Sequence, residues 1–582
     1  MIATAPEPIA YLPIKKPEIG YNGYQPLNPH SEYLKKGDRP HGARPIDCDI
    51  IIDHDVEIVV RDGSKLYCDV YRPANPKGPV PAILSYSPLP VTPWECGVTH
   101  EDISGLEKFE GVDPARWCAR DFAVVSVDAR GSGHSDGYAC LMGQQEAEDG
   151  YDSVEAIAKL PWCNGKVGLA GNSHLAIIQW FIAAQQPPSL AAIAPWEGLG
   201  DLYREQFVRG GIFNPSNFLL IKDMTYRGPN GIEDIPEMYR RTDNGVINDY
   251  WMDKRPDMKA VKVPVYVTAS EHSTLHTMGG VRAKIELPNQ EDVWFRSSSW
   301  QEWHDLWAIH ETNEELMDFF DYFLKGKENG WRNTPKVRLS LLRFGKNEPL
   351  DGIEAPDYPL PDTDYKTWYM GPDSKLFATN QDNQSVVTYN SEDDSSVASF
   401  RLTFDKRTIL AGLPRAILYL ACDDYEDMCV SVQLNKLDTE GNRMVHLTIP
   451  FARTPVTDPN DAPQSGVVRH DGPVGLLRAS HRHIDHSRSI HPQYPFHPHD
   501  RYEPIPKGDI VKLEVGIWAM GILYEAGESI EVVVSGNNPN SPELRQTGAM
   551  SFASGTNKGT HKLHIGGDTP SCVILPFVNL GV

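Results

Sequence analysis

Ser173 stands in the run Val167-Gly-Leu-Ala-Gly171-Asn-Ser173-His174-Leu-Ala, where an apolar strand-like segment meets a tight turn and helical spacing begins at once. A serine at such a junction is carried to the top of a parallel sheet and into the first turn of a helix. There the backbone N–H of the next residue, His174, can donate to an oxyanion. The chemistry this prepares is attack by a hydroxyl on a carbonyl carbon. The usual pattern is G-x-S-x-G, and here the last position is Leu175. A serine hydroxyl is a poor nucleophile until a base takes its proton, and the base needs a partner to hold it. His174 has two readings: a side chain packed in the pocket wall, or an acid or base acting on a bound carbonyl compound without an acyl-enzyme.

Two other segments invite a chemical reading and do not sustain it. Seven histidines lie between His470 and His499 (470, 481, 483, 486, 491, 497 and 499). Their spacing fits no compact ligand set, and Pro492, Pro495 and Pro498 predict a polyproline-like loop. The turn Arg130-Gly-Ser-Gly-His lacks the Lys-[Ser/Thr] of a phosphate cradle and the G-x-G-x-x-G frame. No cofactor and no metal are expected.

The elements around Ser173 alternate. Val56-Glu-Ile-Val-Val, Asp62-Gly63 and Leu66-Tyr-Cys-Asp-Val-Tyr predict a hairpin. Pro81-Ala-Ile-Leu-Ser-Tyr86 and Phe122-Ala-Val-Val-Ser-Val read as buried parallel strands. Helical spacing over 146–160, a strand at 167–171, a helix over 173–186 and a strand at 191–195 follow. Strands alternating with helices mean an α/β fold with a parallel sheet. Over 201–260 the strand signal lapses, and helical stretches broken at Pro215, Pro229 and Pro236 predict an inserted helical cap. The sheet resumes at Val263-Pro-Val-Tyr-Val-Thr, and 314–324 reads as an amphipathic helix.

The expected organisation is therefore an extended arm over 1–48, an α/β domain over 49–200 and 261–330, the cap over 201–260, and an all-β sandwich or jelly roll over 335–582. The arm reads as wrapping a neighbouring surface or another subunit, which makes a homodimer plausible; a frayed terminus is the plain alternative.

The 582 residues are 40% hydrophobic and 23% charged, an ordinary globular composition. With 55 basic and 79 acidic residues the net charge is −24, which argues against a nucleic-acid partner. Nine scattered cysteines without a C-x-x-C pair predict reduced thiols and a cytoplasmic protein. No secretory leader and no apolar run long enough to span a membrane is read. The partner expected is a small-molecule substrate.

The motif set is more specific than any of its parts. Asp128-Ala-Arg130-Gly131-Ser-Gly133-His-Ser135-Asp-Gly137, then Leu160-Pro-Trp162-Cys-Asn164-Gly165-Lys-Val167-Gly, then Ala194-Pro195-Trp196 and Asp201-Leu-Tyr203-Arg204 stand in order. Phe319-Phe320-Asp321-Tyr-Phe-Leu324-Lys325-Gly326 and, later, Leu477-Arg478-Ala479-Ser480-His481-Arg482 continue the series. Together they resemble the X-prolyl dipeptidyl peptidase and cocaine esterase family of α/β-hydrolases, over about residues 55–560. The elbow Gly-Asn-Ser-His-Leu-Ala is nearest the fungal-type branch. The resemblance implies an α/β-hydrolase fold with a helical cap and a C-terminal jelly roll, with Ser173 as nucleophile.

The rest of the family's machinery carries over with substitutions. The triad acid of a G-G-W-x-D turn falls on Ser273 in Ala269-Ser-Glu271-His272-Ser273, with Glu271 two residues earlier as the substitute. The histidine of a P-W-x-H segment, aligned on the second tryptophan of Trp300-Gln-Glu302-Trp303-His304-Asp305, falls on Asp305, with His304 beside it. The oxyanion tyrosine of a P-Y turn falls on Leu89, and Tyr86 lies three residues before it.

These substitutions leave two readings. In the first, the chain is a serine hydrolase cleaving an ester, thioester or amide of a small acyl compound. Ser173 attacks, His304 is the base, Glu271 orients it, the His174 amide holds the oxyanion, and Tyr86, Leu89, His276 and Trp196 line the pocket. In the second, the pocket is a non-hydrolytic enzyme of secondary metabolism, a cyclase, isomerase, lyase or C–C bond-forming catalyst working through Ser173, His174 and His276.

Overall fold

The structure is a computed structural model that describes residues 8–20, 24–88, 99, 101–273, 275–462, 468–537 and 557–582. Eleven strands form the central sheet: β1 (His30–Leu34), β2 (Ile50–Val59), β3 (Lys65–Pro73), β4 (Val80–Ser87), β5 (Ala123–Asp128), β6 (Cys163–Asn172), β7 (Leu190–Trp196), β8 (Val265–Ser270), β9 (Val293–Ser298), β10 (Val337–Leu341) and β11 (Leu350–Ala355). Their order is β11-β10-β9-β8-β7-β6-β4-β5-β3-β2-β1. Neighbours from β5 to β10 run parallel; β1–β3 and β11 pair antiparallel at the two edges.

The central strands are apolar without alternation because both faces are covered. All eight residues of β4 are buried. One face carries α2 (Gln144–Ala158) and α3 (Ser173–Ala184). The other carries α1 (Pro114–Ala119) and α5 (His310–Lys325), with Trp117, Phe319 and Phe320 fully buried. A further helix, α4 (Thr277–Glu286), follows β8. The loop after β5 needs its glycines. Gly131 has φ 72°, and a Cβ there would fall on the backbone of Ala139. Gly131→Ala is expected to lower stability by more than about 1 kcal/mol from the left-handed backbone alone, read as a shifted denaturant midpoint.

The arm lies on its own chain. Its residues Tyr11–Pro13 pair with Gly231–Glu233 of the cap, and β1 extends the central sheet at its edge. The segment 337–355 also joins this sheet, as β10 and β11, and does not open the β domain. Alternation marks Val337–Leu341 as a strand but carries no information on which sheet receives it. The cap holds the expected short helices, Ser216–Met224, Ile235–Arg240 and Asp249–Asp253, with two two-residue strands before the first and a three-residue strand between the first and second. From Asp364 to Val578 the chain forms an almost wholly antiparallel β domain around its own core, including Leu410, Leu418, Val430, Val432, Leu513 and Val532. Among the described residues no helix is long and apolar enough to cross a membrane.

Candidate active site

Ser173 sits where β6 ends and α3 begins, with φ 49°. A residue that carries a Cβ is strained in this left-handed region, and here the surroundings hold it. The Ser173 N–H donates to Glu197 O (3.2 Å), and the Asn172 N–H to Glu110 O (2.9 Å). Close packing makes the turn possible: a Cβ on Gly171 would lie 2.7 Å from Leu175 Cβ and 2.8 Å from Glu110 O. Glycine at 171 thus leaves room for the leucine that replaces the last glycine of the motif.

The loop before α1 delivers Glu110 to this elbow. Lys108 anchors it, its Nζ donating to Val127 O (2.9 Å) and pairing with Asp128 (2.6 Å) at the end of β5. The Trp307 indole N–H donates to Gly111 O (2.8 Å). Glu110 itself has φ 65°. Its carboxyl accepts the His174 N–H (3.3 Å) and the Trp303 indole N–H (3.4 Å), and it hydrogen-bonds the Ser173 hydroxyl. The amide expected to face an oxyanion is therefore occupied by a carboxyl group of the protein.

More carboxyls surround it. Glu302 lies near both Glu110 and Glu197, and His276 Nδ1 stands 3.4 Å from Glu302 Oε1. Burial first, and then the Glu302 charge, hold Glu110 well above the ordinary carboxylate range. Glu197 is raised in the same direction by burial, Glu302 and Asp305, with the Ser270 hydroxyl opposing. Asp305 is engaged elsewhere, paired with Arg296.

The expected shifted triad is not assembled. His304 opens a helical turn over His304–Ala308, packs edge-on against Trp300 (6.0 Å between centroids) and has no hydrogen-bond partner at Nδ1. Burial, and then Arg453, bring its pKa down to about 4, so it stays neutral. Glu271 accepts the Tyr358 hydroxyl (3.1 Å) and lies against Gly521 of the β domain, and its carboxyl makes no hydrogen bond to His304 or Ser173. Ser273, in the place of the family acid, accepts the backbone N–H groups of Leu275 (3.1 Å) and His276 (3.0 Å) and so fixes the start of α4.

The pocket residues divide. His276 joins Glu302, and His174 Nε2 stands 3.5 Å from Glu146 at the start of α2. The Tyr86 hydroxyl is buried, faces the Arg130 amide near Glu146 and Asp149, and makes no hydrogen bond to Ser173. Trp196 belongs to the core on the opposite face, edge-on to Tyr266 (5.4 Å), with the Arg296 guanidinium over its ring. Strand alternation sends it there, away from the elbow. Leu89 lies outside the described residues.

Sequence reasoning missed Glu110, Glu197 and Glu302 as site residues. Glu302 had a signal: counted from the first tryptophan, Trp300-Gln-Glu302 puts it on the histidine of P-W-x-H. Glu110, in an irregular loop, had none. The histidine-rich stretch binds the β domain to the cap. His497 contacts His483 O and Glu514 O (both 3.0 Å), and His481 contacts Asn244 O (3.0 Å). Among the described residues no group of three or more His, Cys, Asp or Glu is placed to hold a metal ion.

The relatives agree with this architecture. The model of the X-Pro dipeptidyl-peptidase (S15 family) matches residues 62–233, and that of the X-Pro dipeptidyl-peptidase C-terminal non-catalytic domain matches residues 329–574. The chain belongs to the X-Pro dipeptidyl-peptidase and cocaine esterase family. A CocE/NonD family hydrolase from Staphylococcus aureus superposes with a TM-score of 0.82 at 27% identity, over 97% of this chain and 99% of that one. The cocaine esterase of Rhodococcus sp. (strain MB1 Bresler) is 26% identical over 391 residues, 56% of this chain and 63% of that protein. A putative serine esterase of Mycobacterium bovis is 32% identical over 166 residues, 27% of this chain and 26% of that protein. The match thus spans less than two thirds of either curated relative. This chain keeps a serine elbow at the end of β6 and has Glu302 two residues after Trp300.

Proposed function

We propose that the chain is a serine hydrolase that cleaves an ester, thioester or amide of a small acyl compound through Ser173. The observation that carries this is the strained Ser173 at the strand–helix junction, at φ 49° beside the first-turn amide of α3. Family membership supports the same reading. In this reading Glu302 takes the serine proton, and His276 Nδ1, 3.4 Å from Glu302 Oε1, holds that carboxyl in place. Glu302→Gln is expected to lower turnover on the order of 10²–10⁴-fold, the usual worth of a positioned base. His304→Gln is expected to leave turnover nearly unchanged. Steady-state rates of both variants on short-chain p-nitrophenyl esters check this, and the reverse ranking overturns it.

A second reading is favoured by one observation: among the described residues no histidine side chain hydrogen-bonds the Ser173 hydroxyl, and Glu110 occupies the neighbouring amide. Ser173 and the carboxyl groups would then move protons on a bound carbonyl compound without an acyl-enzyme. Product mass separates the two readings, since hydrolysis adds one water and cyclisation or isomerisation adds nothing.

A further inference from the structure

We propose that Glu110 is a further catalytic residue: as a neutral carboxylic acid it donates its O–H to the substrate's carbonyl oxygen, in place of the oxyanion tyrosine this chain lacks. The inference rests on the hydrolase reading and adds the second donor to it.

Four observations support it. The carboxyl is fastened to the elbow itself, through Asn172 N–H to Glu110 O (2.9 Å) and His174 N–H to Glu110 Oε2 (3.3 Å), so it stands where an oxyanion must form. The position of the missing hydroxyl is Leu89, and Tyr86 is turned to the Arg130 amide. Among the described residues Glu110 makes no ion pair; its partners are two N–H groups and the Ser173 hydroxyl. The titratable groups facing it, Glu302 and the Tyr226 phenol from the cap, supply no positive charge, and Glu302 repels a second ionised carboxyl. A buried carboxyl in such surroundings keeps its proton and becomes a hydrogen-bond donor.

The step balances. The substrate's carbonyl oxygen takes the place of Glu110 Oε2 on the His174 amide. Ser173 Oγ bonds to the carbonyl carbon, its proton passes to Glu302, and the π pair moves onto the oxygen, held by the His174 N–H and the Glu110 O–H. When the C=O re-forms, the leaving group departs with the proton from Glu302, and water later repeats the sequence on the acyl-enzyme. Glu110 keeps its proton throughout.

The test uses the full chain as wild type, Glu110→Gln and Glu110→Ala, with an alkyl fluorophosphonate as the probe, its phosphoryl oxygen taking the carbonyl's place. Loss of an oxyanion donor is expected to slow labelling of Glu110→Ala on the order of 10²–10³-fold. Glutamine, which still offers an N–H, is expected to restore much of that loss. Wild-type labelling should fall on the alkaline side as Glu110 ionises, and Glu110→Gln should lack that limb, which a merely structural role would not produce. Equal slowing of both variants with unchanged pH profiles overturns the proposal. Infrared difference spectra of wild type against Glu110→Gln at neutral pH stand apart from turnover. A protonated carboxyl band lost in the variant supports Glu110 as the proton-holding donor, so a wild type that then takes no label counts against the hydrolase reading and not against the donor. A carboxylate band in its place overturns it.

Discussion

Ser173→Ala is expected to take no fluorophosphonate label where the wild type takes one, and to lose turnover by at least about 10⁴-fold. The expectation follows from the elbow. The hydroxyl is presented by a left-handed residue at the head of α3, and nothing else on α3's first turn can replace it, since His174 is turned towards Glu146. Removing the nucleophile of a linked set costs about as much as removing the whole set, because the base and the oxyanion donors then have no bond-forming atom to serve. The fold is expected to persist: the Ser173 backbone bond to Glu197 O does not involve the side chain. Intact mass and circular dichroism of both proteins check this. A labelled, active Ser173→Ala would show that the chemistry lies elsewhere.

Glu271→Gln is expected to make the protein more stable than wild type at pH 8 and no different at pH 4. Burial raises the Glu271 pKa from 4.5 to about 8, opposed only by the Tyr358 hydroxyl. A carboxyl whose folded pKa lies above its unfolded value contributes fully below pH 4.5. Its contribution falls as the unfolded chain sheds its proton first, and is gone once pH has risen through about 8. At 1.36 kcal/mol per unit the loss across that window is on the order of 5 kcal/mol. Glutamine can still accept the Tyr358 hydroxyl and has no proton to lose, so the difference between the two proteins should grow steadily with pH. Denaturant unfolding at intervals from pH 4 to 9 reads this, and parallel curves would contradict it. Because Glu271 packs under Gly521 and away from Ser173, fluorophosphonate labelling should be the same in both proteins.

The two residues show where sequence reasoning reached and where it stopped. The place of Ser173 at the strand–helix junction was legible because it depends on local geometry. A strand, a glycine that admits left-handed backbone at its edge, and an immediate helix are all written within ten residues, and the alternation of β4 to β9 with helices told which end of a sheet they occupy. The family motifs were legible for the same reason, since each is a short contiguous turn. His304 and Glu271 misled because a triad is assembled across strand ends. A shift of one or two residues along a loop turns a side chain to another face: His304 went onto Trp300, and Glu271 under the β domain. Trp196 went to the far face by strand alternation. Val337–Leu341 was read as a strand but not as part of the central sheet, since pairing partners are not encoded in a strand's own pattern.

What the sequence by itself determined is therefore the fold class, the serine and the elbow that strains it, all products of local propensity and hydrophobic period. Only the tertiary structure decided what meets that serine. Glu110, Glu197 and Glu302 come from three separate loops, and they converge because the strands before those loops, β4, β7 and β9, run parallel and end at the same edge of one sheet. Their proximity, and the burial that keeps Glu110 and Glu197 from ionising readily, exist only once the sheet has closed and water has been expelled from the site.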